Sequence, residues 1–188
     1  MARVPTAPYG RPMTTPTAPP AAPLLLILRM LTIAFMISVA LFAAVVVLVV
    51  LGGREPFSVA LALVVIVVGV VSALLVQVVG FRVRAIPPGT PDDQAARQAA
   101  AAVQSSTIQR LVISEVATIV ALMGTFALGT PVTNFLIGAV ISLALMVLFC
   151  WPTRANVARV EQSLDAKGYQ SGLSAALFGD NAGPHRVS

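Results

Sequence analysis

The sequence predicts an all-α fold, a polytopic membrane protein with four transmembrane helices arranged as two antiparallel hairpins with a cytoplasmic helical extension. Three observations predict it. Of 188 residues, 57% are hydrophobic and only 10% are charged, whereas a soluble domain carries about 25% charged residues. The chain also contains four long apolar runs, and these runs are joined in pairs by very short connections. This composition excludes a soluble enzyme and a disordered chain, because neither could place so much apolar surface in water.

The first 23 residues are rich in proline, alanine and threonine. Proline at this density blocks helix formation and sheet pairing and favours an extended, solvated chain. We therefore expect residues 1–23 to be a disordered tail. A proline-rich ligand for an SH3-type domain is the alternative that this composition leaves open.

Residues 24–152 form the predicted four-span membrane domain. A helix that crosses the hydrocarbon core of a bilayer needs about 20 apolar residues. A single strand would leave its backbone polar groups without partners in lipid, so the runs are predicted to be helices. The four predicted spans are residues 30–51, 57–81, 111–128 and 132–151.

The connections pair these spans. Residues 52–56 and 129–131 contain glycine and proline, which end helices, so each pair is predicted to be a hairpin. The linker between the hairpins, residues 82–110, is polar. Within it, Thr90 is predicted to cap a helix with Pro91 at its first position and two aspartates after it. We expect this helix to continue into the third span.

The basic residues predict the orientation, because lysine and arginine are enriched in cytoplasmic loops. All but one of them fall on a single side: Arg3, Arg11, Arg29, Arg82, Arg84, Arg97, Arg110, Arg154, Arg159, Lys167 and Arg186. Only Arg54 lies on the other side. Both termini and the linker are therefore predicted to be cytoplasmic, in a multi-pass protein of the plasma membrane.

Residues 153–188 are predicted to form a short cytoplasmic amphipathic helix, over about residues 153–167, and a flexible tail. Val157, Val160 and Leu164 recur at helical spacing and give this helix one apolar face. That face would lie either on anionic lipid headgroups or on the protein's own cytoplasmic helix.

Glu115 is the main candidate for a functional residue, because it is the only acid in the four runs. A charged side chain in hydrocarbon costs at least about 2.5–3.5 kcal/mol, so membrane acids usually face the bundle interior and find partners. Gln77 is predicted to lie at a matching depth in the second span and Thr32 near the same level in the first. Thr118 belongs to an adjoining stripe of small residues on the third span. These four residues form the predicted intramembrane polar site.

Two roles remain open for Glu115. It could accept a hydrogen bond from Gln77, or reach water, and so hold the hairpins together. Alternatively, it could be a protonatable group at the cytoplasmic end of a proton or cation pathway. Transport needs several polar groups along a path, and the outer halves of the spans carry almost none, which favours the structural role.

No catalytic set, metal site or cofactor site is predicted. Cys150 is the only cysteine and His185 the only histidine, which excludes an intramolecular disulfide and a site with several Cys or His ligands. The net charge of +5 does not indicate nucleic-acid binding, because the basic residues are scattered singly. We expect a non-enzymatic protein that contacts the lipid bilayer and associates with itself or with a larger membrane complex.

The sequence carries two resemblances to known families. The segment from Gln104 to Leu111, followed by Glu115 and by a span that ends in Pro152-Thr153-Arg154, resembles small, uncharacterised bacterial four-helix membrane proteins. An excess of arginine over lysine also favours a bacterial origin. More distantly, a helical hairpin with a membrane carboxylate is similar to the proteolipid subunit c of rotary ATPases, although the Arg-Gln-Pro loop of that family is missing from both hairpin turns here.

Overall fold

The structure, a computed structural model, describes residues 21–50, 56–168 and 171–179. In these ranges the chain is helical and forms no strand, so the predicted all-α fold is confirmed. Four helices are long and apolar enough to span a membrane. The helices are α1 (Ala21–Val50), α2 (Val59–Val78), α3 (Asp92–Leu128), α4 (Val132–Leu145), α5 (Arg154–Leu164) and α6 (Leu173–Phe178). Residues 1–20 of the predicted tail and the connection 51–55 lie outside the described residues.

Helix α1 begins nine residues before the predicted start of the first span, at Ala21. Its apolar character extends from Leu24 to Val49. Pro23 is tolerated in the first turn because the backbone N–H groups there have no partner within the helix. Arg29 marked the predicted boundary, but its side chain is exposed, and a long basic side chain near a helix end can reach the aqueous interface.

Helix α2 ends at Val78, three residues before the predicted end of the second span. Gly80 lies at a close approach to α3: a Cβ there would lie 2.6 Å from the Cγ of Arg110. The Ser106 hydroxyl donates to the Gly80 carbonyl oxygen at 2.7 Å. The chain therefore leaves the helix at Gly80, and Phe81 turns towards Arg110 instead of extending the span.

Helix α3 is continuous from the linker through the third span, as the sequence predicted, and has 37 residues. Its start differs by one position from the prediction. Pro91, with φ −57° and ψ 141°, occupies the N-cap and Asp92 is the first helical residue. The Thr90 hydroxyl donates to the Pro87 carbonyl oxygen at 2.7 Å and so caps the preceding turn, not the helix.

The fourth span ends in a π-helix, Met146–Cys150, which follows α4 directly. A π-helix widens the hydrogen-bond ring by one residue and leaves backbone carbonyls for other donors. Trp151 and Pro152 then turn the chain into α5, whose N-cap Thr153 accepts a hydrogen bond from the Asn156 backbone N–H.

Helices α3 and α4 form the centre of the bundle. α2 packs on both of them, and α1 packs on α4, α6 and α3. The first two spans, although consecutive in the sequence, thus each lie against the second pair. One buried cluster contains residues from all four helices: Val46, Leu61, Val65, Ala121, Phe135 and Ala139.

A second folded unit, which we call the cap, consists of residues 81–106, 154–168 and 171–179. The apolar face of α5 is buried here against Ile86 and the first turns of α3, and Leu28 of α1 joins the same core. Two environments were predicted for the apolar face of α5, lipid headgroups or the protein's own cytoplasmic helix. In the structure this face packs on α3. The predicted flexible tail contains a further helix, α6, because Leu173 and Leu177 find burial in this core. Residues 180–188 lie outside the described residues.

Candidate functional site

Glu115 lies in a groove between α1 and α3. The groove has a volume of about 180 Å³ and is lined by Glu115, Ser38, Val39, Phe42, Thr118, Ile119 and Leu122. The Glu115 side chain is half-buried, and Ser38 is exposed. Within the described part of the chain, no hydrogen bond or ion pair engages the Glu115 carboxylate. The groove thus presents an acid on the outer surface of an apolar helix pair.

The structure brings only one other member of the predicted polar site to Glu115. Thr118, one turn further along α3, lines the same groove. The Thr32 side chain is fully buried; its hydroxyl donates to the Leu28 carbonyl oxygen at 2.9 Å and lies 3.5 Å from the Cys150 carbonyl oxygen. Thr32 therefore fastens α1 to the end of the fourth span.

Gln77 is exposed and makes no hydrogen bond with Glu115 in the described ranges. Gly80 packs on Arg110, and Leu61 packs beside Gly124, so α2 and α3 are antiparallel. At a rise of 1.5 Å per residue, Gln77 lies about 4.5 Å from the level of Gly80 in the direction of Glu115, and Glu115 lies about 7.5 Å from Arg110 in the same direction. The two residues therefore lie at similar depths, and what separates them is the exposure of the Gln77 side chain on α2.

Three hydroxyl groups where α3 packs on the fourth span, those of Thr118, Ser142 and Ser114, are occupied by one another and by the backbone. The Thr118 hydroxyl donates to the Ser142 oxygen at 2.7 Å and lies 3.3 Å from the Gly138 carbonyl oxygen. The Ser114 hydroxyl donates to the Arg110 carbonyl oxygen at 2.8 Å. A Cβ at Gly138 would lie 2.5 Å from the Ala121 Cβ. This interface is closely packed, as small residues permit between membrane helices.

At the far end of the bundle, Asn134 joins α4 to the start of α2. Its side-chain amide donates to the Ser58 carbonyl oxygen at 2.7 Å, and its side-chain oxygen accepts from the Ser58 backbone N–H at 3.3 Å. Asn134 is fully buried. Both hydrogen-bonding groups of the amide are used to hold helix ends together.

Arg110 forms a polar centre, although the sequence indicated it only as an orientation signal. The side chain is 3% exposed. Its guanidinium donates to the Phe149 carbonyl oxygen at 2.8 Å, to the Thr107 hydroxyl at 3.1 Å and to the Ser106 carbonyl oxygen at 3.1 Å. No carboxylate of the described residues pairs with it. Arg110 therefore fastens α3 to the π-helix through neutral acceptors.

Asn156 completes the attachment of the π-helix. Its side-chain amide nitrogen lies 2.9 Å from the Trp151 carbonyl oxygen, 3.2 Å from that of Leu148 and 3.4 Å from that of Phe149. Together, Arg110 and Asn156 satisfy carbonyl groups that an α-helical end would leave open. An arginine at the start of an apolar run and an asparagine just beyond a Pro-Thr helix start are the sequence signals for this centre.

The described residues contain no group of three or more His, Cys, Asp or Glu side chains that could hold a metal ion. Cys150 is buried, and its sulfur lies 3.9 Å from the Ser114 hydroxyl oxygen. No family model, curated protein or solved structure matches this chain. The functional interpretation therefore depends on the geometry of the site itself.

Proposed function

We propose that this chain is a non-enzymatic, multi-pass protein of the bacterial plasma membrane that acts by associating with another transmembrane helix. That helix belongs to a second copy of the chain or to a larger membrane complex. The groove between α1 and α3 is the contact surface, and Glu115 is its polar anchor.

The observation that carries this proposal is the unengaged carboxylate of Glu115 in an open groove of about 180 Å³ within the apolar spans. A charge in hydrocarbon costs at least about 2.5–3.5 kcal/mol. A neighbouring helix that supplies a hydrogen-bond donor would remove most of that cost. Of the four candidate spans, α1 has the smallest buried share, 17% of its apolar window, so this side of the bundle has the most surface left to cover.

Crosslinking in cell membranes tests this proposal. A photoreactive amino acid replaces Ser38, which lines the groove, and in a matched control it replaces Val70, which is exposed on α2. We expect a defined adduct from position 38 and none from position 70. An adduct of twice the chain mass identifies a second copy, and another mass identifies a different membrane protein.

The dependence on Glu115 is tested in the same experiment. Glu115→Gln preserves a hydrogen-bonding group and should keep the adduct, whereas Glu115→Leu should abolish it. If position 38 yields no more adduct than position 70, or if Glu115→Leu leaves the adduct unchanged, the proposed contact is wrong.

Conduction of protons or cations is a second candidate, favoured by the exposed Ser38 side chain, which lines the same groove as the Glu115 carboxylate. The engaged hydroxyls between α3 and α4 weigh against it, because a pathway needs polar groups that are free to exchange partners. Flux into liposomes, wild type against Glu115→Gln, distinguishes the two. Loss of flux in Glu115→Gln supports conduction, because an amide does not exchange a proton at ordinary pH.

The proposed orientation places both termini, the linker and the cap in the cytoplasm, on the basis of the basic residues. Thr133 and Gln94 are exposed at opposite ends of the bundle. In a Cys150→Ser background, a cysteine at Thr133 should react with an impermeant maleimide in intact cells, and one at Gln94 should react only after permeabilisation. The reverse pattern would overturn the orientation.

A further inference from the structure

A larger groove lies in the cap, between residues 82–87 and one face of α3. Its volume is about 690 Å³. The α3 face presents Gln98, Ser105 and Gln109, which are seven and four residues apart and therefore share one side of the helix. Ala101 and Ala102 lie between them and occupy little space, which leaves the groove open.

The opposite wall is an extended segment that is fixed in place by α5. The Val83 backbone N–H donates to the Ser163 hydroxyl oxygen at 3.0 Å, and that hydroxyl donates to the Val83 carbonyl oxygen at 3.1 Å. Three residues on, the Ile86 N–H donates to the Leu164 carbonyl oxygen at 3.0 Å. Because both ends of the wall are held by hydrogen bonds, the groove is preformed.

Arg82 and Arg84 supply the charge of this groove. Both line it and both are exposed. They flank Val83 in the extended segment, and residues two apart in such a segment project to the same side. In the described ranges neither guanidinium has a hydrogen-bond or ion-pair partner.

No acid lines the groove to neutralise these arginines. Two acids on the α5 side of the wall, Glu161 and Asp165, are engaged elsewhere. Glu161 accepts from the Ser174 backbone N–H at 3.2 Å, and Asp165 accepts from the Ser171 backbone N–H at 3.0 Å. The groove therefore combines two unpaired cations with two side-chain amides and a hydroxyl.

We propose that this groove binds the phosphate group of an anionic ligand, either a glycerophospholipid headgroup or a soluble phosphorylated compound. Guanidinium groups recognise phosphate oxygens through paired, charge-assisted hydrogen bonds. Gln98 and Gln109 supply donors and acceptors for hydroxyl or ester oxygens next to the phosphate. A volume of about 690 Å³ lies in the range of ligand pockets, about 300–1,000 Å³.

The position of the groove suits a lipid headgroup in particular. Arg82 lies four residues after Val78, the last residue of α2, so one end of the groove lies close to the end of a candidate span. Anionic lipids attract basic side chains at this level of a membrane. A soluble ligand would use the same arginines, and the experiment must separate the two sources.

The test uses the full chain, purified in a neutral detergent. One arm measures retention of phosphatidylglycerol, against phosphatidylcholine with the same acyl chains, by native mass spectrometry. The other arm measures whether inorganic phosphate displaces phosphatidylglycerol or binds by itself. Arg82→Gln/Arg84→Gln should weaken binding about tenfold or more, because two charge-assisted contacts are lost.

Two further variants keep the test specific. Arg29→Gln/Arg97→Gln removes the same charge from exposed positions outside the groove and should bind as the wild type does. Ala101→Glu places an acid in the groove without removing an arginine and should weaken binding to a similar extent.

Each outcome decides the proposal. Phosphatidylglycerol binding without competition from inorganic phosphate supports a lipid headgroup, and binding of inorganic phosphate supports a soluble phosphorylated ligand. Failure of both probes to bind would overturn the proposal. So would equal losses in the groove variant and the control, or unchanged binding in Arg82→Gln/Arg84→Gln.

Discussion

The guanidinium carbon of Arg110 lies 4.5 Å from the centroid of the Phe81 ring, over its face. Arg159 of α5 approaches the same ring at 5.3 Å. Two guanidinium groups, one from α3 and one from α5, therefore lie against the Phe81 ring, just beyond the end of α2. Because a desolvated cation–π contact contributes about 2 kcal/mol or more, this one ring helps to join the membrane bundle to the cap.

Replacement of Arg110 should destabilise the protein. Arg110→Leu removes the guanidinium that donates to the Phe149 carbonyl oxygen and to the Thr107 hydroxyl. It also removes the cation–π contact with Phe81. We expect the free energy of unfolding to fall by about 2–4 kcal/mol. Arg110→Lys should recover only part of it, because an ammonium cannot reproduce the forked geometry of the guanidinium.

Equilibrium unfolding in mixed micelles, followed by circular dichroism, measures these losses. Arg97→Leu is the matched control, because Arg97 is exposed on the same helix, and it should change stability by about 0.5 kcal/mol or less. Equal losses at positions 97 and 110 would contradict the central role of Arg110.

Two glycines offer a matched test of helix packing. A Cβ at Gly138 would lie 2.7 Å from the Ala117 carbonyl oxygen, which is backbone and cannot move alone. A Cβ at Gly124 would meet the Leu61 Cδ1 at 2.4 Å, but this is the end of a flexible side chain. Gly138→Ala should therefore cost about 1–3 kcal/mol and Gly124→Ala less than about 1 kcal/mol. The same unfolding assay checks the order, and a larger loss at Gly124 would refute it.

At position 156, a negative charge should destabilise the protein more than the loss of the side chain does. Asn156→Asp replaces a donor with an acceptor beside three carbonyl oxygens and should lower the free energy of unfolding by about 2–4 kcal/mol. Asn156→Ala should cost about 1–3 kcal/mol, the penalty of unsatisfied groups. Gln162→Glu makes the same chemical change at an exposed position of α5, and its stability should match the wild type. Equal stabilities of the Asp and Ala variants would contradict the role of the amide as a donor.

Glu115 and Gln77 should act independently in the isolated chain. The sequence suggested a hydrogen bond between them, but in the described ranges Gln77 is exposed on α2 and makes no hydrogen bond with Glu115. The stability changes of Glu115→Leu and Gln77→Leu should therefore add to within about 0.5 kcal/mol in the double variant. A coupling energy of about 1 kcal/mol or more would show that the two side chains do meet.

The spans were predictable because hydrophobicity alone determines them. The third span was predicted to end at Leu128, and α3 ends there. The fourth was predicted to begin at Val132, and α4 begins there. The continuous α3 was predictable as well, because an alanine-rich segment after Pro91 joins an apolar run without an intervening proline or glycine. The first span was predicted to begin after Arg29, whereas the apolar stretch of α1 begins at Leu24; an exposed arginine near a helix end is compatible with such a stretch.

The polar centres were harder to predict, because they depend on contacts between segments far apart in the sequence. The Thr32–Cys150 and Gly80–Ser106 hydrogen bonds depend on which helices are neighbours. Periodicity predicts a helix face but not its partner, so it pairs Gln77 with Glu115 by depth alone. The end of α2 at Val78 is likewise a tertiary effect, related to the close approach of Gly80 and Arg110, whereas the hydrophobic pattern continues to Phe81.

Helix α3 contains no proline, and its only glycine is Gly124, close to its end. Its 37 residues form a rod about 55 Å long at 1.5 Å per residue, shared by the cap and the bundle without a hinge between them. Such a rod transmits motion mechanically: a tilt of about 10° at the Leu128 end displaces the Asp92 end by roughly 10 Å. A change in the tilt of α3 would therefore displace the cap sideways.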